Sequence, residues 1–323
     1  MKKSDPIEIA LNRLSGLRTA PTELAIQELR TCLANRSNLV VAKAAKIAGE
    51  LRLSALVPDL VTAFHRFMKN PQQLDKRCAA ITEITGALYE MDYREPEIYL
   101  QGLTHVQREA SFGPPVDTAS ALRGTSAQGL VRTRYASALA DVVHLLVDPE
   151  PPARLGAIRA LASNGGDAGA LLLRLKVLTG DKEPEVMGEC FAGLIAAAPE
   201  QSLSFVANYV DDDDQATAEA ALWALGESRL PAAFEVLKEK WERTVSRSSR
   251  KILLAAMAAS RLEESIDFLR SLLETESSQA ASDVVVALAI YKANESVKQS
   301  VAAIVRRRSD KLLIEMFQHH FEI

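Results

Sequence analysis

Two stretches decide the fold: DPEPPARLGAIRAL at 148–161 and DKEPEVMGECFAGL at 181–194. Asp148/Asp181, Glu150/Glu183, Pro151/Pro184 and Leu161/Leu194 coincide at an offset of 33 residues. The pattern continues outward. Cys190-Phe191 and Leu194 reappear 31 residues on as Ala221-Leu222 and Leu225. Steps of 32 then reach Leu253-Leu254 with Met257, and Val285-Val286 with Ala289. Recurrence at this period is the mark of a helical repeat array. Within one unit, Ala218, Ala221, Leu222 and Leu225 fall at i, i+3, i+4 and i+7, one apolar stripe of a helix. Another helical stretch precedes each such helix, and Pro199, Pro231, Gly180, Asn294 and Asp211–Asp214 punctuate the joints. A single hairpin cannot bury both of its apolar faces, but stacked neighbours bury them in one core.

Composition agrees with that pattern. Aromatic residues are only 5% of the 323, too few for a sheet-rich protein, and alanine and leucine dominate. The net charge is −4, without the basic excess that phosphate binding exploits. Residues 111–240 carry 11 basic and 18 acidic side chains and are the acidic part of the chain. Cys32, Cys78 and Cys190 are widely spaced and lack CxxC pairing, as in a chain kept in a reducing compartment. The first residues break any signal-like apolar run with Asp5 and Glu8, and no stretch reaches membrane-spanning length. A cytoplasmic protein is expected.

Asp117 stands six residues before Arg123, and Asp148 six before Arg154. With the helical pairs, this spacing resembles the HEAT repeat, and the subclass is similar to the HEAT-like repeats of bilin-lyase-related bacterial proteins. The resemblance implies an all-α, right-handed α-solenoid of about nine HEAT-like hairpins, with second helices on the concave side. It also implies a ladder in which a turn Asp meets an Arg on the second helix of a neighbour. Arg77, Arg123 and Arg154 with Asp117 and Asp148 are the expected rungs. Pro71 replaces the Asp before Arg77, while Met187 and Thr217 replace the Arg after Asp181 and Asp211, so Ala/Leu packing must hold the later units.

The expected register is one continuous array over 1–323. A cap spans 1–21, repeats 1–3 span 22–131, and repeats 4–9 span 132–322. Its hairpins span 22–53, 55–91, 95–131, 135–164, 167–198, 200–229, 231–261, 263–292 and 294–322. Arg77 to Arg123 is 46 residues against 31 for the next step, which places an insertion near 109–117. Such insertions map to loops on one face, often the binding face. Gly113-Pro114-Pro115 would hold Phe112 on a stiff turn, and Asp117 would cap the following helix.

Each candidate for chemistry has a plainer reading. The five histidines are spread over four hairpins, with only His319 and His320 together, and show no HExxH or ligand spacing. Asp211–Asp214 lacks the alternation and central Gly of a calcium loop and reads as a helix cap. Cys190 and Cys78 sit in a helix seam, and no nucleophile elbow, P-loop or GxGxxG occurs. Arg243, Arg247, Arg250 and Lys251 beside Trp241, and Arg306–Arg308 with Lys311, read as C-terminal helix cations before they read as phosphate grips. Trp223 is expected in the core. These observations predict a non-catalytic scaffold with no metal or cofactor, binding a protein or peptide on its concave face or inserted loop. Phe112, Pro114, Pro115, Gln128, Arg132, Arg134 and Arg159 are the expected contacts. The alternatives are nucleic-acid binding of the alkylpurine-glycosylase-like HEAT type, disfavoured by the acidic middle, and an accessory enzyme resembling bilin lyases. No membrane association is expected.

Overall fold

A computed structural model describes residues 6–163 and 166–322. The described chain is all-α apart from one small ribbon, and its helices pair into nine HEAT-like hairpins. Pro6–Ser15 (α1) precedes them. The hairpins are Thr22–Leu33 and Asn38–Glu50 (α2, α3), then Val57–Met68 and Ala79–Glu90 (α4, α6) with the short Pro71–Leu74 (α5) between them. Next come Pro96–Leu103 and Ser120–Arg132 (α7, α8), and Ala138–Val142 and Pro151–Ser163 (α9, α10). Asp167–Thr179 and Pro184–Ala197 (α11, α12) precede Pro199–Ala207 and Gln215–Glu227 (α13, α14). The last three are Pro231–Arg243 and Arg247–Ser260 (α15, α16), Glu263–Thr275 and Ser278–Leu288 (α17, α18), and Glu295–Arg308 and Lys311–Phe321 (α19, α20). Residues 1–5 of the expected cap and residue 164 of the fourth hairpin lie outside the described residues. By internal packing the chain divides into two compact units, Met1–Leu173 and Arg174–Ile323.

Sequence sets where the helices begin and end. Proline occupies the first turn of α4, α5, α7, α12, α13 and α15, where its missing N–H costs nothing. The side chains of Asp214, Ser277, Asn294 and Asp310 accept amide hydrogens at the starts of α14, α18, α19 and α20. After α3, α6, α8, α14 and α16 the chain turns through Arg52, Asp92, Arg134, Arg229 and Arg261 with φ between 49° and 60°. Left-handed backbone there normally favours glycine, so these turns carry strain of about 1 kcal/mol each.

In each unit the second helices form the closely packed row, α3 on α6 and α8 on α10 in the first, α12 on α14 and α14 on α16 in the second. Small residues permit this approach. A Cβ added at Gly156 would lie 2.1 Å from Gly124 Cα, one at Gly226 2.2 Å from the Ala256 oxygen, and one at Gly49 2.8 Å from Ala87 Cα. Between the two helix rows lies the apolar core; in unit 1 it runs from Leu14 and Leu29 through Phe64 and Ile81 to Leu122.

The polar ladder is built around Arg123. Its guanidinium donates to Asp117 at 2.7 Å, to Asp148 at 2.8 and 2.9 Å, and to the His105 oxygen at 2.9 Å. Arg123 is 3% exposed, so the three charges form a buried network. Asp117 is held below the usual carboxylate range: burial alone would raise it, but the Ala119 and Gln107 amides and Arg123 outweigh that. Arg154 donates to the Asp148 and Pro149 oxygens. Where Met187 stands instead of an arginine, Lys176 reaches Asp181 at 2.7 Å from the preceding helix.

Arg77 departs from the expected ladder. It is exposed, with φ 64°, and belongs to the turn before α6. Arg123 is the fourth residue of α8, and the fourth residue of α6 is Thr82, whose hydroxyl donates to the Cys78 oxygen. The rung is made instead by buried Asp75. It caps α6 through the Ala80 and Ile81 amides, both at 2.9 Å, accepts from Asn38, and offers its own carbonyl to Gln107 at 2.7 Å. The extra turn of α5 shifted the apparent spacing.

Two outcomes follow for stability in urea. Arg123→Met leaves two buried carboxylates unpaired and should cost about 3–5 kcal/mol, whereas Arg77→Met should stay within about 0.5 kcal/mol. Because Asp117 is depressed, its contribution is present at neutral pH and lost as pH falls from about 4 towards its folded pKa, a loss that Arg123→Met should blunt. Gly156→Ala should cost roughly 1–3 kcal/mol through overpacking, while Gly86→Ala, which has open space, should gain about 0.5–1 kcal/mol.

Candidate interaction site

The insertion is an ordered hairpin. Arg108–Glu109 (β1) pairs antiparallel with Val116–Asp117 (β2), Arg108 facing Asp117 and Glu109 facing Val116. Its base is fastened on two sides. The Glu109 carboxylate accepts the Arg77 amide at 2.6 Å, the Gln107 side-chain amide at 2.6 Å and the Thr118 hydroxyl at 3.3 Å. Burial would raise the Glu109 carboxyl, yet these donors and nearby Lys76 hold it below its ordinary range. Asp117 caps the approach to α8 through the Ala119 amide at 3.0 Å. At the tip, the Ser111 hydroxyl donates to the Pro114 oxygen at 2.8 Å and accepts the Gly113 amide at 3.1 Å. Phe112, Pro114 and Pro115 are exposed there, Phe112 completely.

The other expected contacts lie elsewhere. Gln128, Arg132 and Arg134 sit towards or just past the C-terminal end of α8, and 12 residues of helix place that end about 18 Å from its start beside the ribbon. Arg132 donates to the Tyr89 oxygen at 2.8 Å and stacks 3.6 Å above the Tyr89 ring, so it closes the end of α6. Arg134 is exposed in a left-handed turn, and Arg159 is exposed on α10. Gln128 lines a polar groove of about 550 Å³ with Lys46, Glu50, Glu83 and Tyr89 on the second helices of unit 1. Burial lifts the Glu83 carboxyl above its usual range.

Unit 2 carries a groove of about 240 Å³ on α14, α16, α18 and the short turn after α18, lined by Trp223, Ala255, Ala259, Val286 and Ile290. Trp223 is 40% exposed, which corrects its expected core position: its helix turns that residue onto the second-helix face while Leu222 and Leu225 fill the core. Lys251 and Asp283, 3.5 Å apart, close one side.

Most cations of the two basic clusters are engaged within the fold. Lys240 and Arg243 bind Asp211, Arg247 and Lys251 bind Asp283, and Arg250 stacks on Trp241 at 4.5 Å while donating to the Thr244 oxygen at 2.7 Å. Arg307 meets Glu274, and Arg308 donates to the Glu276 carbonyl at 2.8 Å. These cations join successive hairpins, as the missing ladder arginines would have done. Cys78 and Cys190 are buried with thiols pushed up to about 12, which keeps them protonated. Among the described residues no group of three or more His, Cys, Asp or Glu could hold a metal ion, and no helix is long and apolar enough to cross a membrane.

No protein-family model matches the chain, and no curated protein matches it. Among solved structures it is similar to the complex of CpcE and CpcF of phycocyanin lyase from Nostoc sp. PCC7120, with 13% identity over 76% of this chain and 92% of that one and a TM-score of 0.38. It is similar to an engineered protein at 14% identity, covering 99% and 96% of the two chains, with a TM-score of 0.40. It is also similar to human deoxyhypusine hydroxylase in complex with glycerol at 18% identity, covering 80% and 91%, with a TM-score of 0.30. The HEAT-like character of the stacked hairpins rests on their own pairing and packing.

Proposed function

We propose that the chain is a non-catalytic scaffold that binds another protein, with the 108–117 ribbon as its principal contact. The observation that carries this reading is Phe112: a large apolar side chain, fully exposed, on a tip whose base is fixed by three hydrogen bonds to Glu109. A hydrophobic side chain held in water has no folding role there, and aromatic anchors on rigid supports are what protein interfaces concentrate their energy on. Pre-ordering the tip also removes entropy that binding would otherwise have to supply. The unit 2 groove around Trp223 offers a separate seat for an apolar side chain.

The test is affinity capture from the native host's lysate, comparing wild type, Phe112→Ala and a Gly/Ser replacement of 110–115. One stoichiometric protein should be recovered by the wild type and lost with both variants. Phe112→Ala should leave the thermal midpoint within about 2 °C of wild type, since the residue makes no packing contact to lose. Capture unaffected by either change, or recovery of nucleic acid in place of protein, overturns the reading.

A further inference from the structure

Three of the inter-helix turns of unit 1, at residues 34–37, 69–78 and 104–119, form one bound edge with the start of α3. The Asn38 side chain donates to Asp75 at 3.0 Å and to the Lys76 oxygen at 2.9 Å, joining the first turn to the second. Gln107 donates to the Asp75 oxygen, and the Arg77 amide to Glu109, joining the second to the third. Arg36, Lys69, Lys76, Arg77 and Arg108 are exposed on these turns, and among the described residues none of the five has an ion-pair partner.

All three carboxylates of the same turns are spent within the fold. Asp75 is fully buried and caps α6, Glu109 holds the ribbon base, and Asp117 lies in the Arg123 network. Hydrogen bonding to neutral groups leaves Asp75 and Glu109 charged, and Lys76 lies near Glu109. Asp117 is matched by Arg123, however, and the five exposed cations outnumber the other two carboxylates, so the edge keeps a net positive charge towards solvent. Exposed apolar side chains lie among the cations: Leu39, Leu74 and Val106 are about half exposed, and Phe112 stands clear of the surface. In the basic clusters elsewhere several cations meet a neighbouring hairpin's carboxylate, as Arg243 does with Asp211, Arg247 with Asp283 and Arg307 with Glu274.

We infer that this edge binds an acidic segment of a partner protein that also carries aliphatic or aromatic side chains. Carboxylates would pair with the unpartnered lysines and arginines, and apolar groups would cover Leu74, Val106 and Phe112. The inference rests on the protein-binding reading above and specifies the partner's chemistry. Three of the five cations are arginines, whose planar fork matches a carboxylate. An anionic bilayer fits less well, because it needs apolar groups projecting beyond the cations, and here only Phe112 projects.

The probe is a displayed library of random 12-residue peptides, selected on the intact chain. Phe112→Ala and the triple variant Lys76→Glu, Arg77→Glu, Arg108→Glu serve as comparisons. Enriched peptides should be net acidic with apolar residues. They should bind the triple variant at least roughly tenfold more weakly, and weaken in the wild type as NaCl rises from about 50 to about 300 mM. All these positions are exposed, so an unchanged melting curve shows the variants are folded. Neutral or basic winners, equal binding to the triple variant, or no enrichment overturns the inference. Two other results also overturn it. One is co-sedimentation with phosphatidylcholine/phosphatidylserine vesicles that requires Phe112, which reassigns the edge to a membrane. The other is concentration-dependent self-association abolished by the triple variant, which reassigns it to the Asp211–Asp214 run of a second copy. Lysate capture that depends on Phe112 but not on the three charges sinks this inference alone; capture independent of Phe112 sinks the scaffold reading as well.

Discussion

Arg123 holds together parts of the chain that nothing local would unite. A guanidinium removed from water is costly unless every donor is used, and here its donors reach Asp117 before its own helix, Asp148 of the next hairpin and a carbonyl at the foot of the ribbon. The geometry requires the turns of adjacent hairpins to lie side by side, which brings α8 and α10 close enough that only glycine fits between them at 124 and 156. The buried charge and the small-residue seam are thus two halves of one constraint. The same contact sets where the ribbon leaves the stack, because Asp117 is at once its last strand residue and a partner of Arg123.

In unit 2 that constraint is met by other means. Lys176 with Asp181, Lys240 and Arg243 with Asp211, and Arg247 with Asp283 each tie one turn to a neighbouring helix, from different sequence positions. A pairing that needs only opposite charge within reach tolerates this wandering, whereas a fork buried between two carboxylates does not.

This explains what could be read from the sequence. Helix pairs and their stacking follow from the period of Ala, Leu and Val, which records burial directly, and the Asp117/Arg123/Asp148 grouping follows from a fixed spacing. The rung at Arg77 could not be read correctly. The extra turn of α5 moved the spacing, and the true partners, Asn38, Asp75 and Gln107, are neutral or single residues with no repeat to flag them. At the joints after the second helices arginine and aspartate take the left-handed position usually marked by glycine. The inserted segment was visible as a break in period, and Phe112 as its odd residue. Arg132 and Arg134 are close to it in sequence, yet a helix carries them to the opposite end of the hairpin. Trp223 departs from the core because a stripe of apolar residues does not say which edge of the stripe meets water.

The ribbon's closure has a consequence for how this chain can change over generations. Glu109, Gln107 and Thr118 shut the loop at its neck, so the cost of bringing its ends together is met by residues belonging to the stack. Ala110 to Pro115 are then free of any duty to the fold. Substitutions, insertions or deletions there alter what the tip presents while leaving the ladder and core as they were. Selection can act on the tip's surface and on folding separately, and a new tip surface needs changes at only these six residues.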